Sequence, residues 1–255
     1  MTAAITAEAL VKRYPARRGA GPVEALAGLS FEVDSGTVFG MLGPNGAGKS
    51  TTMRILTTLA LPTAGRARVA GSDVVREAAN VRASIGYVPQ GSAGDPILTA
   101  RENLVLAGRL RGMREPGTRA AELLAEFGLA EAADRRFGSL SGGQRRRIDV
   151  AIALMHRPAV LFLDEPTNGL DPESRSAMWV EIRRLAADGG LTVVLTTHYL
   201  EEADRLADRL MIVDGGRKVA EGTPAALKTA TGAATLDEVY RHHVGRTFDS
   251  EGAAA

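Results

Sequence analysis

The chain has 255 residues, a formal net charge of +1, 45% hydrophobic and 24% charged residues, and no cysteine. That length can bury a substantial core, as one larger domain or two small ones, and the composition is ordinary for a soluble globular protein. The near-neutral balance does not point to nucleic acid, and the lack of cysteine excludes disulfides and cysteine-based metal sites while permitting a reducing cytosol.

In chain order, the opening MTAAITAEAL lacks the basic start and continuous apolar region of a secretory signal. Ile5–Val33 contains strand-like pieces around the turn PARRGAGP at Pro15–Pro22 and predicts a small β-rich layer. Val38–Leu42 is a short apolar run that reads as a buried strand, and Thr51–Leu59 reads as a helix. LPTAG (Leu61–Gly65) and AGSD (Ala70–Asp73) read as loops. From about Gly91 to Arg157 the pattern turns helical, over Ala100–Arg111, Gly117–Phe127 and Gly143–Met155. Strands resume near Val160–Leu163, Thr192–Thr196 and Met211–Val213, alternating with helices, which predicts a parallel sheet covered on both faces. A helix over Thr235–His243 and a tail frayed from Phe248 complete the pattern. No segment reaches the roughly 20 apolar residues that span a bilayer, so a soluble chain is expected, with any membrane path formed by another chain.

Two motifs carry most of the chemistry. Gly43, Pro44, Asn45, Gly46, Ala47, Gly48, Lys49 and Ser50 spell GPNGAGKS between a predicted strand and a predicted helix, the context a phosphate loop requires. Glycines let backbone N–H groups approach phosphates closely, and the helix N-terminus adds positive potential. Lys49 then reaches the β- and γ-phosphates and the Ser50 hydroxyl ligates Mg²⁺. In VLFLDEP, Val160–Pro166, an apolar strand ends in two acids. Ligands in parallel sheets bind beyond the strands' carboxyl ends, so Asp164 suits the Mg²⁺ water shell and Glu165 the polarisation of an attacking water; such a pair also suits a helix cap or a solvated turn. LSGGQ, Leu140–Gln144, can be simply a helix N-cap at Ser141, and the same geometry offers backbone amides to an anion. Arg145, Arg146 and Arg147 read as a solvated helix face or an ion-pair set, with no interleaved aromatics for base stacking.

The order GPNGAGKS, YVPQ, LSGGQ, VLFLDEP, NGLDP and TTH resembles the ATPase subunit of an ABC transporter over Ile5 to about Lys228. The resemblance implies an α/β fold: a RecA-like P-loop NTPase parallel-sheet core (1–90 and 158–228), a small antiparallel β layer and an inserted α-helical subdomain (91–157), followed by a short C-terminal helix and tail (229–255). It implies that Tyr14 stacks on adenine, that Thr51 belongs to the nucleotide-binding loop, and that Gln90 contacts Mg²⁺ or the attacking water. It assigns Ser141, Gly142, Gly143 and Gln144 to the nucleotide held by a second ATPase subunit, most simply another copy. Asp171 then meets that subunit, and His198 contacts the γ-phosphate.

The stretches GYVPQGSAGDPILTARENLVLAGRLRGM, GGQRRRIDVAIALMHRPAVLFLDEPTNGLDPESR and THYLEEADRLADRL resemble the daunorubicin/doxorubicin-resistance ATPase subfamily of bacterial exporters. That resemblance implies an ATP- and Mg²⁺-dependent subunit on the cytoplasmic face of the membrane, powering export of a drug or other hydrophobic compound through a separate permease, with no nucleic-acid partner. The signature ends in Gln where many relatives have Met, and the tail after Lys228 predicts no extended C-terminal domain. A nutrient importer ATPase would share every nucleotide motif. A soluble ABC protein of repair or translation would usually carry a long coiled coil or two cassettes.

Overall fold

A computed structural model describes residues 3–15, 21–245 and 247–248, without the side chains of 188 and 189. The predicted turn at Pro15–Pro22 lies mostly outside the described residues. The chain forms two sheets. The antiparallel sheet has the order β2-β1-β4-β5, built from β1 (Ala3–Tyr14), β2 (Val23–Asp34), β4 (Ala64–Val69) and β5 (Ser72–Asp73). It is larger than the N-terminal layer expected. Part of LPTAG and part of AGSD are strand: β5 pairs with β4, and β4 pairs with β1 from Ile5–Val69 to Val11–Ala64. That pairing joins residues some sixty positions apart, which local turn chemistry does not register.

The second sheet has the order β10-β9-β3-β8-β7-β6, with β3 (Val38–Leu42), β6 (Ile85–Val88), β7 (Val160–Asp164), β8 (Thr192–Thr197), β9 (Arg209–Asp214) and β10 (Arg217–Gly222). Its pairs are parallel except β9 with β10. Every residue of β3, β7 and β8 is buried, which explains their apolar runs. The register sets Leu42 beside Thr197 and Asp164 beside Thr196. The carboxyl ends of β3, β7 and β8 therefore finish on one edge of the sheet.

Helix α1 (Lys49–Leu56) starts two residues earlier and ends three earlier than expected; Thr58 at φ 64° is already outside the helix. α2 (Ala78–Ser84) precedes β6, and α3 (Ala100–Leu110), α4 (Pro116–Glu126) and α5 (Gly142–Leu154) lie between β6 and β7. α3 opens with a capping box, Thr99 with Glu102. One apolar cluster runs from Leu104, Leu123 and Phe127 of these helices to Leu161 and Val193 of the sheet, so the inserted helices share a core with the strands. α6 (Pro172–Gly189) and α7 (Leu200–Leu206) follow β7 and β8, and α8 (Pro224–Thr231) and α9 (Leu236–Val244) follow β10. Phe248, expected to fray, is buried and meets Tyr240 edge-on with ring centres 4.8 Å apart; residues 249–255 lie outside the described residues. Among the described residues no helix is long and apolar enough to cross a membrane.

Candidate nucleotide site

The loop between β3 and α1 is a tight cradle. A Cβ on Gly43 would lie 2.2 Å from the Val213 carbonyl oxygen, and one on Gly48, at φ 107°, would lie 2.7 Å from that of Ala25. Both positions need glycine because backbone from β9 and β2 already fills the side-chain space. Lys49 is buried, and its Nζ donates to the Gly43 and Pro44 carbonyls at 2.6 and 3.0 Å. Burial lowers its pKa, while the charges of Glu165 and Asp164 oppose that shift. The N–H groups of Lys49, Ser50 and Thr51 open α1, where the first turn has no carbonyl four residues back within the helix.

Facing the loop, Asp164 Oδ1 accepts from Thr196 Oγ1 at 2.5 Å and from Ser50 Oγ at 3.3 Å. These are hard oxygen donors of the kind a small divalent cation takes. Glu165 is buried at φ 47°, an uncommon backbone conformation for a residue with a side chain. Its N–H donates to Thr196 Oγ1 at 3.0 Å and to the Thr196 carbonyl at 3.2 Å. Its Oε2 accepts from Gln90 Nε2 at 2.8 Å and Asn168 Nδ2 at 3.2 Å. His198 Nδ1 stands 3.1 Å from Oε1, within reach but off the line of a well-aligned hydrogen bond. This His198 contact holds the Glu165 carboxyl below its ordinary range against the opposing pull of burial, with help from the Lys49 charge and Asn168.

Tyr14, Asn45–Thr51, Gln90 and Glu165 line one cleft of about 510 Å³. Lys12 Nζ sits 5.0 Å from the centre of the Tyr14 ring. The Gly-rich signature does not line this cleft. Ser141 caps α5: its Oγ accepts from Gln144 N–H at 3.2 Å, and Gln144 Oε1 accepts from Ser141 N–H at 3.1 Å. Asp171 likewise caps α6 by accepting from Ser174 N–H at 2.9 Å, which lowers its pKa. The two caps are neighbours, since a Cβ on Gly142 would come 3.7 Å from Leu170 and one on Gly143 2.5 Å from Ser174 Oγ. Ser141, Gly142, Gly169 and Asp171 are exposed. Most of the predicted residues thus fall into two groups, a cleft and a separate surface strip, with Gly143 buried beneath the strip and His198 lining a neighbouring pocket.

Sequence reasoning missed Thr196, Asn168 and Arg146. Arg146 is buried, contrary to the solvated face expected of the arginine triplet; Arg145 is exposed and Arg147 donates to the Phe127 carbonyl. Only Arg146 of the three turns inward, and a run of three like residues gives no sign of which does so. The position three residues after Gly143 on one helix face is the signal that could have found it.

The ABC transporter family profile matches residues 26–168. The chain is 51% identical over 238 residues to the daunorubicin resistance ATP-binding protein DrrA2 of Streptomyces coeruleorubidus, covering 92% of this chain and 72% of that one. It is 47% identical over 222 residues to the Nod factor export ATP-binding protein I of Paraburkholderia xenovorans, covering 86% and 73%. A solved dimeric ATP-binding cassette in a post-hydrolysis state, bound to ADP and Pi, superposes with a TM-score of 0.74 at 28% identity over 86% of this chain and 98% of that one.

Proposed function

The chain belongs to the ABC transporter family, and we propose that it is the ATPase subunit of an exporter of drugs or other hydrophobic compounds, acting at the cytoplasmic face of a membrane with a separate permease. Two copies close on ATP. The carrying observation is the split between the cleft of Tyr14, Asn45–Thr51, Gln90 and Glu165 and the exposed strip of Ser141, Gly142 and Asp171. Each subunit has one half of a site on each of two surfaces. The export direction and the class of cargo rest on the likeness to the resistance and Nod factor export proteins.

Phosphoryl transfer asks the protein mainly for position and charge. Tyr14 offers a flat apolar face to the base. Lys49 and the N–H groups of the loop and α1 meet the β- and γ-phosphates. Ser50, Asp164 and Gln90 are the residues that would hold Mg²⁺, which would neutralise phosphate charge when bound with the nucleotide. Glu165, ionised at neutral pH, accepts a proton from water as the water oxygen bonds to the γ-phosphorus. The bond from that phosphorus to the bridging oxygen breaks, giving ADP and phosphate, and His198 steadies the γ-phosphate charge. Ser141 and the Gly142 and Gly143 amides of the second subunit complete the site, with Gln144 and Asp171 beside them. Hydrolysis removes the contacts that hold the pair closed.

Mixed dimers test the shared site. With Ser141→Arg in one subunit and Lys49→Ala in the other, completion across the dimer puts both lesions in the same site and leaves one site intact, so about half the turnover is expected. Completion within one chain leaves both sites broken and no turnover. Export is tested by ATP-dependent movement of a fluorescent hydrophobic amine in vesicles carrying the permease; net movement in the import direction contradicts it.

A further inference from the structure

We propose that Arg146 is a positioning residue for hydrolysis, setting the backbone from which Glu165 and Gln90 act. Arg146 is 7% exposed, and its guanidinium spends its donors on carbonyls of both segments. Nε donates to Pro166 at 2.8 Å, Nη1 to Pro89 at 2.7 Å, and Nη2 to Asp164 at 3.0 Å and Glu165 at 3.3 Å. One planar group therefore joins the residue before Gln90 to three successive residues around Glu165.

The acid needs such support. Glu165 sits at φ 47°, a conformation that is strained for a residue with a side chain and persists only where surroundings over-determine it. Thr196 holds its N–H, and Arg146 holds its carbonyl. The side chains then meet at the 2.8 Å bond from Gln90 to Glu165. A fixed fork of five donors can serve four carbonyls at once, whereas an ammonium on a flexible stem cannot. Burial disfavours the cation, and the charges of Asp149, Asp164 and Glu202 oppose that effect.

Arg146 also lies on α5, five residues after the Ser141 cap, about 7.5 Å along the axis. On the reading that the α5 N-terminus meets the partner's nucleotide, the same helix grips its own subunit's catalytic carboxylate. A shift of α5 on closure is then passed to Glu165 through this guanidinium. The inference rests on the proposed role of Glu165 as base.

Steady-state ATPase assays on Arg146→Lys and Arg146→Met test it, beside Glu165→Gln and with nucleotide binding measured by fluorescence titration. Displacing reacting groups by about 1 Å from a distance costs up to roughly 100-fold. The Met variant is expected to lose about 100-fold in kcat and the Lys variant about tenfold, with KM and nucleotide affinity within about threefold of wild type. Wild-type kcat in the Met variant overturns the inference, as does a rise in KM alone. Failure of both variants to fold, or a loss in proportion to the folded fraction, makes Arg146 a purely structural residue and also overturns it. Retained turnover in Glu165→Gln removes the base reading itself, whereas its loss there beside wild-type kcat in Arg146→Met defeats this inference alone.

Discussion

Gln90 Nε2 donates to Glu165 Oε2 at 2.8 Å, across 75 residues of sequence. Gln90 opens the segment leading into α3–α5, and Glu165 comes directly after β7, the strand that follows them. A displacement of the inserted helices therefore pulls on the carboxylate proposed to activate water. Glu165→Gln preserves the shape of this contact while removing the base. Turnover should fall by about 10²–10⁴-fold, the range a general base supplies, while ATP binding persists and ATP produces a long-lived dimer in size-exclusion chromatography. Turnover at the wild-type rate would remove Glu165 from that role.

The glycines of the two half-sites should respond differently to a methyl group. Gly43→Ala drives a Cβ to 2.2 Å from backbone at Val213, so β3 and β9 must move apart. A destabilisation of about 1–3 kcal/mol is expected, as for other overpacked sites. Gly142→Ala meets only Leu170 at 3.7 Å, an ordinary contact. Its melting temperature should match wild type, while ATPase activity falls because the new methyl stands on the exposed strip proposed to meet the second subunit. Thermal unfolding and turnover, measured on both variants, separate the two cases; normal activity in Gly142→Ala would argue against that surface meeting nucleotide.

The sequence made some of this site legible and hid the rest for a physical reason. GPNGAGKS and VLFLDEP are local, since the residues that shape each loop sit within it, and β3 matches its expected bounds at Val38–Leu42. Ser141 was legible as a cap and as an anion site, and the cap is present. The inward turn of Arg146 was not legible, because its acceptors lie 57 and 18–20 residues away and are backbone atoms that carry no side-chain signal. Buried Glu202 is hidden by sequence distance alone, since its Oε1 accepts from the side chains of Thr167, Oγ1 at 2.7 Å and 35 residues away, and Trp179, Nε1 at 3.0 Å and 23 residues away. The pairing of β4 with β1 depends on chain reversal through α1, and composition alone made Leu61–Gly65 a loop.

Acid should weaken the fold in part through Glu165. Its carboxyl is held below the ordinary 4.5, first by His198 and then by Lys49 and Asn168. A folded-state value below the unfolded one stabilises the protein wherever the unfolded carboxylate is ionised, and that help is lost as pH falls through the folded value. The urea-unfolding free energy of wild type, minus that of Glu165→Gln, should therefore decline from about pH 4.5 downward. A difference that grows on acidification over that range would show that the carboxyl is raised, not lowered.

The C-terminal segment beyond α9 should matter to stability through one aromatic contact. Phe248 is buried against Tyr240, and its N–H donates to Asp237 Oδ1 at 3.4 Å. It belongs to the apolar cluster of Leu227, Leu236 and Val239, and it lines a small pocket with Arg175, Trp179, His198 and Tyr199. Removing the ring takes away both the edge-on contact and buried apolar area, together about 2 kcal/mol at a site this near the surface. For a chain of this size that lowers the melting temperature by about 4–8 °C. Phe248→Leu restores most of the area without the ring contact and should recover more than half of the loss. An unchanged melting temperature in Phe248→Ala would mean that the segment does not pack in solution.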